Sequence, residues 1–291
     1  MSYPNIKLAP ASPAVGAFVE GVDLSQPLDG PVLADLERAH ADYGVLFFRD
    51  QQLSEEQHVA LAEQFGEINV NRFFTPVNDH PKIAEVRKEP DQTVNIGGGW
   101  HTDHSYDQIP ALGSMLYARE VPPAGGDTVY ASMYAAFDAL SEGMKQMLEG
   151  LNAVHSSRHV FGAAANRPAE LSNRLGNQEA ATQDAVHPVV LTHPRSGRKG
   201  LYVNPGFTVR FEGWTDQESE PLLRYLYQHA SRPEFTYRFQ WAPGSLAFWD
   251  NRCTWHFAVN DYHGQRRLLH RITLEGEPLE RTPVQQVAQR G

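Results

Sequence analysis

Near its C-terminal end the chain reads Gly244-Ser245-Leu246-Ala247-Phe248-Trp249-Asp250-Asn251-Arg252-Cys253-Thr254-Trp255-His256. Past a loop at 260–265 it continues Arg266-Arg267-Leu268-Leu269-His270-Arg271. Short apolar runs at 245–249, 254–259 and 267–274, separated by turn-forming residues, read as successive β-strands. On the last strand a period of two puts Arg267, Leu269, Arg271 and Thr273 on one face. Working outward, strands are expected at 235–241, 45–48, 83–87, 114–119 and 128–131. Helices are expected at 32–42, stopping at Gly44, and from the capping box Ser54-Glu55-Glu56-Gln57 to about Phe65. One or two more fit 134–151, and another fits 215–230 with Leu222, Leu223, Leu226 and Tyr227 as its apolar stripe. Strands dominate both ends with helices between them. The pattern predicts a mostly β protein with flanking helices, a sandwich or jelly roll.

The 291 residues fit one domain, 1–291. Residues 162–185, rich in Ala, Asn, Gln and Pro, lack apolar periodicity and are expected to form a mobile lid inserted in it. Residues 276–291 are expected to be a loose tail. With 25 basic against 35 acidic residues the formal net charge is -10, without the basic excess of a nucleic-acid binder. The single cysteine, Cys253, excludes an intramolecular disulfide and a cysteine zinc site. The Met1-Ser2-Tyr3-Pro4-Asn5 start lacks a basic and then apolar pattern, and no stretch approaches the ~18 apolar residues of a spanning helix. A soluble cytoplasmic protein, with no nucleic-acid or membrane partner, is expected.

Trp100-His101-Thr102-Asp103 holds a His-x-Asp. In an extended segment its imidazole and carboxylate point to one side and can converge on one metal ion. Two histidines and a carboxylate on one face of a metal are the triad of non-haem iron(II) oxygenases. The pattern alone is weak, because the chain has 13 histidines and repeats it at His40-Ala41-Asp42. That copy sits in an expected helix, where i and i+2 point ~200° apart, and is read as structural. Arg267 and Arg271 sharpen the reading. A buried guanidinium is costly unless paired. Either an internal carboxylate such as Asp250 pairs with them, or they await carboxylates carried by ligands, which the planar guanidinium fork suits.

The order Trp100-His101-Thr102-Asp103, Gly125-Gly126-Asp127-Thr128, Trp249-Asp250-Asn251-Arg252 with His256, then Arg267 and Arg271, resembles the taurine dioxygenase family, which includes the aryloxyalkanoate dioxygenases. The resemblance runs from about Val15 to Leu279. It implies a double-stranded β-helix, a cupin-like jelly roll. It implies that His101, Asp103 and His256 bind Fe(II), and that Thr128 and Arg267 bind the distal carboxylate of 2-oxoglutarate. It sets Arg271 near the cosubstrate's other carboxylate and the substrate's anionic group. The implied reaction consumes O2, converts 2-oxoglutarate to succinate and CO2, and hydroxylates a C–H of a small anionic substrate. The presence of Asp103 favours hydroxylation over halogenation. Family members are often dimers or tetramers, so a homo-oligomer is expected.

The sulfonate-gripping histidine and tyrosine of the taurine enzymes align here with Asn71 and Phe74, and Gly99 replaces the family's asparagine before the tryptophan. A substrate larger and more apolar than taurine is therefore expected: a carboxylate, sulfonate, sulfate or aryloxyalkanoate. Asn71, Phe74, His104, Tyr106, Phe161, Phe207 and Arg271 are the candidate substrate contacts, with Phe73 beside them. His155, His187, His193 and His270 are read as core or surface residues. Two rival readings stand: a zinc-dependent hydrolase, which leaves Thr128, Arg267 and Arg271 unexplained, and a non-catalytic jelly-roll binding protein.

Overall fold

The structure, a computed structural model, describes residues 2–77, 80–162, 165, 169–172 and 175–279. Parts of the expected lid (163–164, 166–168 and 173–174) and most of the expected tail (280–291) lie outside the described residues.

The run Val45-Leu46-Phe47-Phe48 shows how the layers form. It is apolar at every position because both of its faces are covered. Val45 and Phe47 point inward, onto Leu116, Ala247, Trp249, Leu269, Tyr130 and Phe239. Leu46 and Phe48 point outward, onto Leu36, Ala39, Leu61 and Ala62 of two helices. Those helices are Gly30–Tyr43, ended by Gly44 at φ 74, and Glu55–Glu63, started by the capping box of Ser54 and Gln57. The second helix stops short of Phe65.

Among the described residues, nine strands form the large sheet. Its order is Lys7–Pro10, Ala17–Glu20, Val45–Phe48, Leu246–Asp250, Gly113–Glu120, Arg267–Leu274, His80–Lys88 and Pro76–Val77, with Ile68–Asn69 pairing beside Arg267–Leu274. All pairs are antiparallel except Ala17–Glu20 with Val45–Phe48. Facing it, a smaller sheet runs Thr236–Phe239, Thr128–Ser132, Thr254–Ala258. Its outer face carries Ala131 and Trp255 and is closed by Leu223 and Leu226 of the helix Asp216–Ala230. The remaining interior faces, Thr128 and Tyr130 on one strand and His256 on the next, look into the space between the sheets. The architecture is the expected jelly roll with flanking helices.

Several elements were not anticipated. The strands Asn152–Ser156, Asp184–Pro188, Val190–Thr192, Lys199–Leu201 and Thr208–Phe211 form two small sheets. The segment expected as a lid therefore gives way to strand at Asp184. Its described residues include a short helix at Ala169–Ser172 and a 3-10 turn at Gln178–Ala180. The region 134–151 resolves into two helices, Met133–Asp138 and Glu142–Glu149.

Candidate active site

The loop before residue 104 docks along the strand Thr254–Ala258. His101 and His256 exchange both backbone hydrogen bonds, 3.1 and 2.9 Å. Thr102 Oγ1 donates to Asn251 O at 2.7 Å, and Asn95 Nδ2 donates to Ala258 O at 2.8 Å. This pairing brings together side chains that are 155 residues apart: the rings of His101 and His256 lie 4.2 Å apart. Gly206 packs on the other side of His101, where a Cβ would come within 2.8 Å of His101 Cβ.

Asp103 Oδ1 lies 3.6 Å from His101 Nε2, and Asp103 Oδ2 lies 3.7 Å from His256 Nε2. Two metal–ligand bonds of ~2.1 Å reach across such gaps. The ligand atoms of all three residues fall within 4.8 Å of one another. His101 Nδ1 is held by Gly99 O at 2.7 Å, which leaves Nε2 for a metal. Burial keeps His256 neutral, its pKa well below the ordinary histidine value, as a metal ligand must be. Burial resists ionisation of Asp103, but the Arg271 guanidinium beside it outweighs burial and holds the carboxyl far below its usual range. Asp103 Oδ2 is buried without a hydrogen bond. Arg271 Nη2 is 2.8 Å from it, but off the bonding direction. The donor set thus fits a divalent ion of the iron type: neutral nitrogens, one carboxylate and unused lone pairs.

The two arginines of the last strand share the interior face as expected, yet they are placed differently. Arg271 is paired inside the protein, with Asp103 and with Ser114 Oγ at 3.1 Å. Arg267 donates through Nε to Gly126 O at 2.9 Å, and its Nη2 is buried with no hydrogen-bond partner among the described residues. Desolvation lowers the Arg267 pKa from its usual value. Gly126, at φ 69, lets the two approach, since a Cβ there would meet Arg267 Cδ at 3.1 Å. Asp250 pairs with neither arginine. Arg252 and His193 hold it.

Thr128 Oγ1 accepts a hydrogen bond from Trp241 Nε1 at 3.0 Å, so its own proton is available to an acceptor. Trp241 was not singled out in the sequence. Only the register of Thr236–Phe239 against Thr128–Ser132 brings it there.

These residues open into one cavity of about 500 Å³. Every candidate contact lines it: Asn71, Phe74, His104, Tyr106, Phe161 and Phe207, with Thr128, Arg267, Arg271, His101, Asp103 and His256. Phe73 does not; it stacks behind Phe161 at 4.4 Å. Asn71 Oδ1 is occupied by the backbone N–H groups of Phe73 and Phe74. His104, in a left-handed conformation at φ 56, is fixed by Asp107 at 2.9 Å, and Arg72 grips Asp107 in turn. Leu171, Leu175 and His159 also line the cavity and were missed, since no short-range pattern marks them; Trp249, which opens the Trp249-Asp250-Asn251-Arg252 motif, lines it too but was not named as a contact. His155, His187, His193 and His270 stand outside it, as expected.

A jelly roll with two histidines and a carboxylate converging inside it, beside a buried arginine whose Nη2 has no hydrogen-bond partner among the described residues, defines the class of non-haem iron(II) oxygenases. Comparison places the chain within that class. Residues 7–273 match the taurine catabolism dioxygenase TauD, TfdA family, and the chain belongs to it. It is 35% identical to an alkylsulfatase of Acinetobacter baylyi over 277 residues, covering 94% of this chain and 86% of that one. It is also 35% identical to the alpha-ketoglutarate-dependent 2,4-dichlorophenoxyacetate dioxygenase of Cupriavidus pinatubonensis over 285 residues, covering 91% and 96%. Among solved structures, a taurine dioxygenase from Burkholderia xenovorans superposes with a TM-score of 0.78 at 37% identity, covering 94% and 92%. AAD-2 in complex with Mn(II) and N-oxalylglycine gives a TM-score of 0.78 at 31% identity, covering 96% and 100%.

Proposed function

We propose that this protein is an Fe(II)- and 2-oxoglutarate-dependent dioxygenase that hydroxylates a C–H of a small anionic molecule with an apolar body. The observation that carries the reading is the buried Arg267 with an unpartnered Nη2 in the same cavity as His101, Asp103 and His256. Hydrolysis at a zinc site does not in itself require such a cation; a carboxylate-bearing cosubstrate does.

In this reading His101, Asp103 and His256 hold the iron, which, when bound, activates O2 at the expense of 2-oxoglutarate, giving succinate and CO2. Arg267 and Thr128 hold the distal carboxylate, Arg267 through its fork and Thr128 through the proton that Trp241 leaves available. Arg271, over the ring of Phe74 at 5.7 Å, is the cation beside the substrate's anionic group. Phe74, Tyr106, Phe161 and Phe207 wall the apolar part and exclude water from the reacting C–H. Asn71 shapes the turn that presents Phe74. The relatives named for sulfate esters and aryloxyalkanoates support a substrate of the carboxylate, sulfonate, sulfate or aryloxyalkanoate type.

Leu171 and Leu175 at the cavity wall support reading 162–185 as its cover. Glu170, next to Leu171, accepts from Thr93 N and Oγ1. A homo-oligomeric cytoplasmic enzyme is proposed. No helix among the described residues is long and apolar enough to cross a membrane.

The test is anaerobic addition of Fe(II) and 2-oxoglutarate. A visible charge-transfer band is expected. A substrate panel of the four anion types should then give O2-dependent succinate. Absence of the band, together with turnover that needs no O2, would overturn the assignment.

A further inference from the structure

One histidine of the cavity is held in an unfavourable backbone conformation, and one of its ring nitrogens is unused. His104 directly follows the iron-site carboxylate Asp103 and sits at φ 56, in the left-handed region. Glycine adopts that region freely and asparagine more readily than most residues; histidine does not gain it without support from its surroundings. The support is visible. Asp107 N donates to His104 O at 3.0 Å, Asp107 Oδ2 accepts from the ring at Nδ1 at 2.9 Å, and the Tyr106 ring lies 5.5 Å away. Arg72 Nη2 in turn donates to both Asp107 oxygens, at 2.7 and 2.9 Å.

A carboxylate paired with arginine only accepts, so the proton between His104 and Asp107 sits on Nδ1, and the neutral ring offers a lone pair at Nε2. Arg72 already balances the Asp107 charge, so these contacts do not call for an imidazolium. Nε2 makes no hydrogen bond among the described residues, and it is not one of the unbonded atoms sealed from solvent. The side chain is only 3% exposed and lines the cavity, so the opening left to Nε2 is the cavity itself. Arg271 lines the same cavity and disfavours an ammonium there by like charge. What fits Nε2 is an uncharged donor, a hydroxyl or an amide N–H.

We propose that His104 is a specificity-determining residue whose Nε2 accepts a hydrogen bond from a hydroxyl or amide N–H that the substrate carries in addition to its anionic group. Asp107 and Arg72 are the positioning residues that fix the ring. The inference deepens the dioxygenase reading above and rests on it.

The experiment measures succinate formation, as kcat/KM, for matched probes: phenoxyacetate against its ortho-, meta- and para-hydroxy derivatives, and hexyl sulfate, hexanesulfonate and hexanoate each against the omega-hydroxy derivative. In the wild type at least one hydroxylated probe is expected to exceed its parent on the order of tenfold or more. His104→Gly, which suits φ 56, is expected to bring that ratio close to one, while the Mn(II)-loaded variant still binds N-oxalylglycine. Parents that match or exceed every hydroxylated probe in the wild type would overturn the inference, as would a preference that survives in His104→Gly. So would the absence of succinate from every hydroxylated probe when Fe(II) and 2-oxoglutarate still give their charge-transfer band; the cosubstrate reading would then stand alone. Loss of N-oxalylglycine binding in the variant would overturn it too, assigning His104 to holding Asp103 instead. Absence of the band in the wild type would sink the cosubstrate reading, and this inference with it.

Discussion

Two buried clusters in this molecule have the composition and spacing of a metal site. In His101, Asp103 and His256, and again in His193, Asp250 and Cys253, the ligand atoms lie within 4.8 Å of one another. The difference is how much bonding capacity is already used. His193 Nδ1 accepts from the backbone N–H of Arg195 and Ser196, so Nε2 carries the proton and donates to Asp250 at 3.0 Å. Arg252 takes both Asp250 oxygens, at 2.9 and 2.6 Å. Burial pushes the Cys253 thiol well up, so it stays protonated. The second cluster is a closed ion-pair network that ties a turn together. The first leaves Asp103 Oδ2 without a hydrogen bond and His256 neutral at the wall of a cavity. Proximity of the right residue types does not separate a site from a scaffold; unspent lone pairs do.

The sharpest way to break this contrast is to remove one carboxylate from each cluster. Asp103→Ala should abolish succinate formation and weaken Mn(II) or Fe(II) binding by more than the ~10–100-fold typical of an outer-shell change. Asp250→Ala should leave metal affinity of the folded protein nearly unchanged but cost about 3–5 kcal/mol in urea unfolding, because it strands the buried Arg252 charge. If Asp250→Ala lowered metal affinity as much as Asp103→Ala did, the distinction would be lost.

A second contrast lies between the two arginines. Arg267→Gln should weaken 2-oxoglutarate binding by roughly 10–100-fold. Its apo stability should hold or rise, since an unpaired buried charge is removed. Loss of stability on this change would mean that Arg267 is paired within the protein.

A smaller effect concerns acid. His40, packed near Asp250 in the closed cluster, has its pKa lowered by burial to about 4. The unfolded chain takes up that proton near the ordinary value of ~6.5, the folded protein only near 4, so folding loses stability as pH falls between them. The slope is about 1.4 kcal/mol per pH unit for one such group. His40→Gln should reduce that slope in urea titrations between pH 6.5 and 4. The smallest expected effect is Trp241→Phe, which removes the hydrogen bond to Thr128. It should weaken 2-oxoglutarate binding by roughly two- to tenfold, the value of about 0.5–1.5 kcal/mol.

Much of this was legible before any coordinates. The strand Arg267–Leu274 has the bounds its apolar pattern gave, and its period of two set both arginines inward. The capping box at Ser54 started its helix where expected, and the helix expected at 215–230 begins at Asp216 on a second box, Thr215 with Glu218, because such signals are local. The short strands between 152 and 211 escaped notice. All are three to five residues long, and their apolar positions are shared between two small sheets and a helix, so no periodicity accumulates. Trp241, His159, Leu171 and Leu175 escaped for the same kind of reason: each reaches the cavity through long-range register or packing.

The amino-acid order by itself determined the residue types that can do this chemistry, the faces of the strands that carry them and where the capped helices start. These follow from backbone periodicity and from side chains that bond within a few residues. Tertiary structure alone decided which of two similar clusters stays open, which arginine is ion-paired and which is not among the described residues, and that Trp241 meets Thr128. Those outcomes depend largely on partners distant along the chain, as His193 is from Asp250 and Arg271 from Asp103, and a bond that is left unmade shows only when every neighbour is in place.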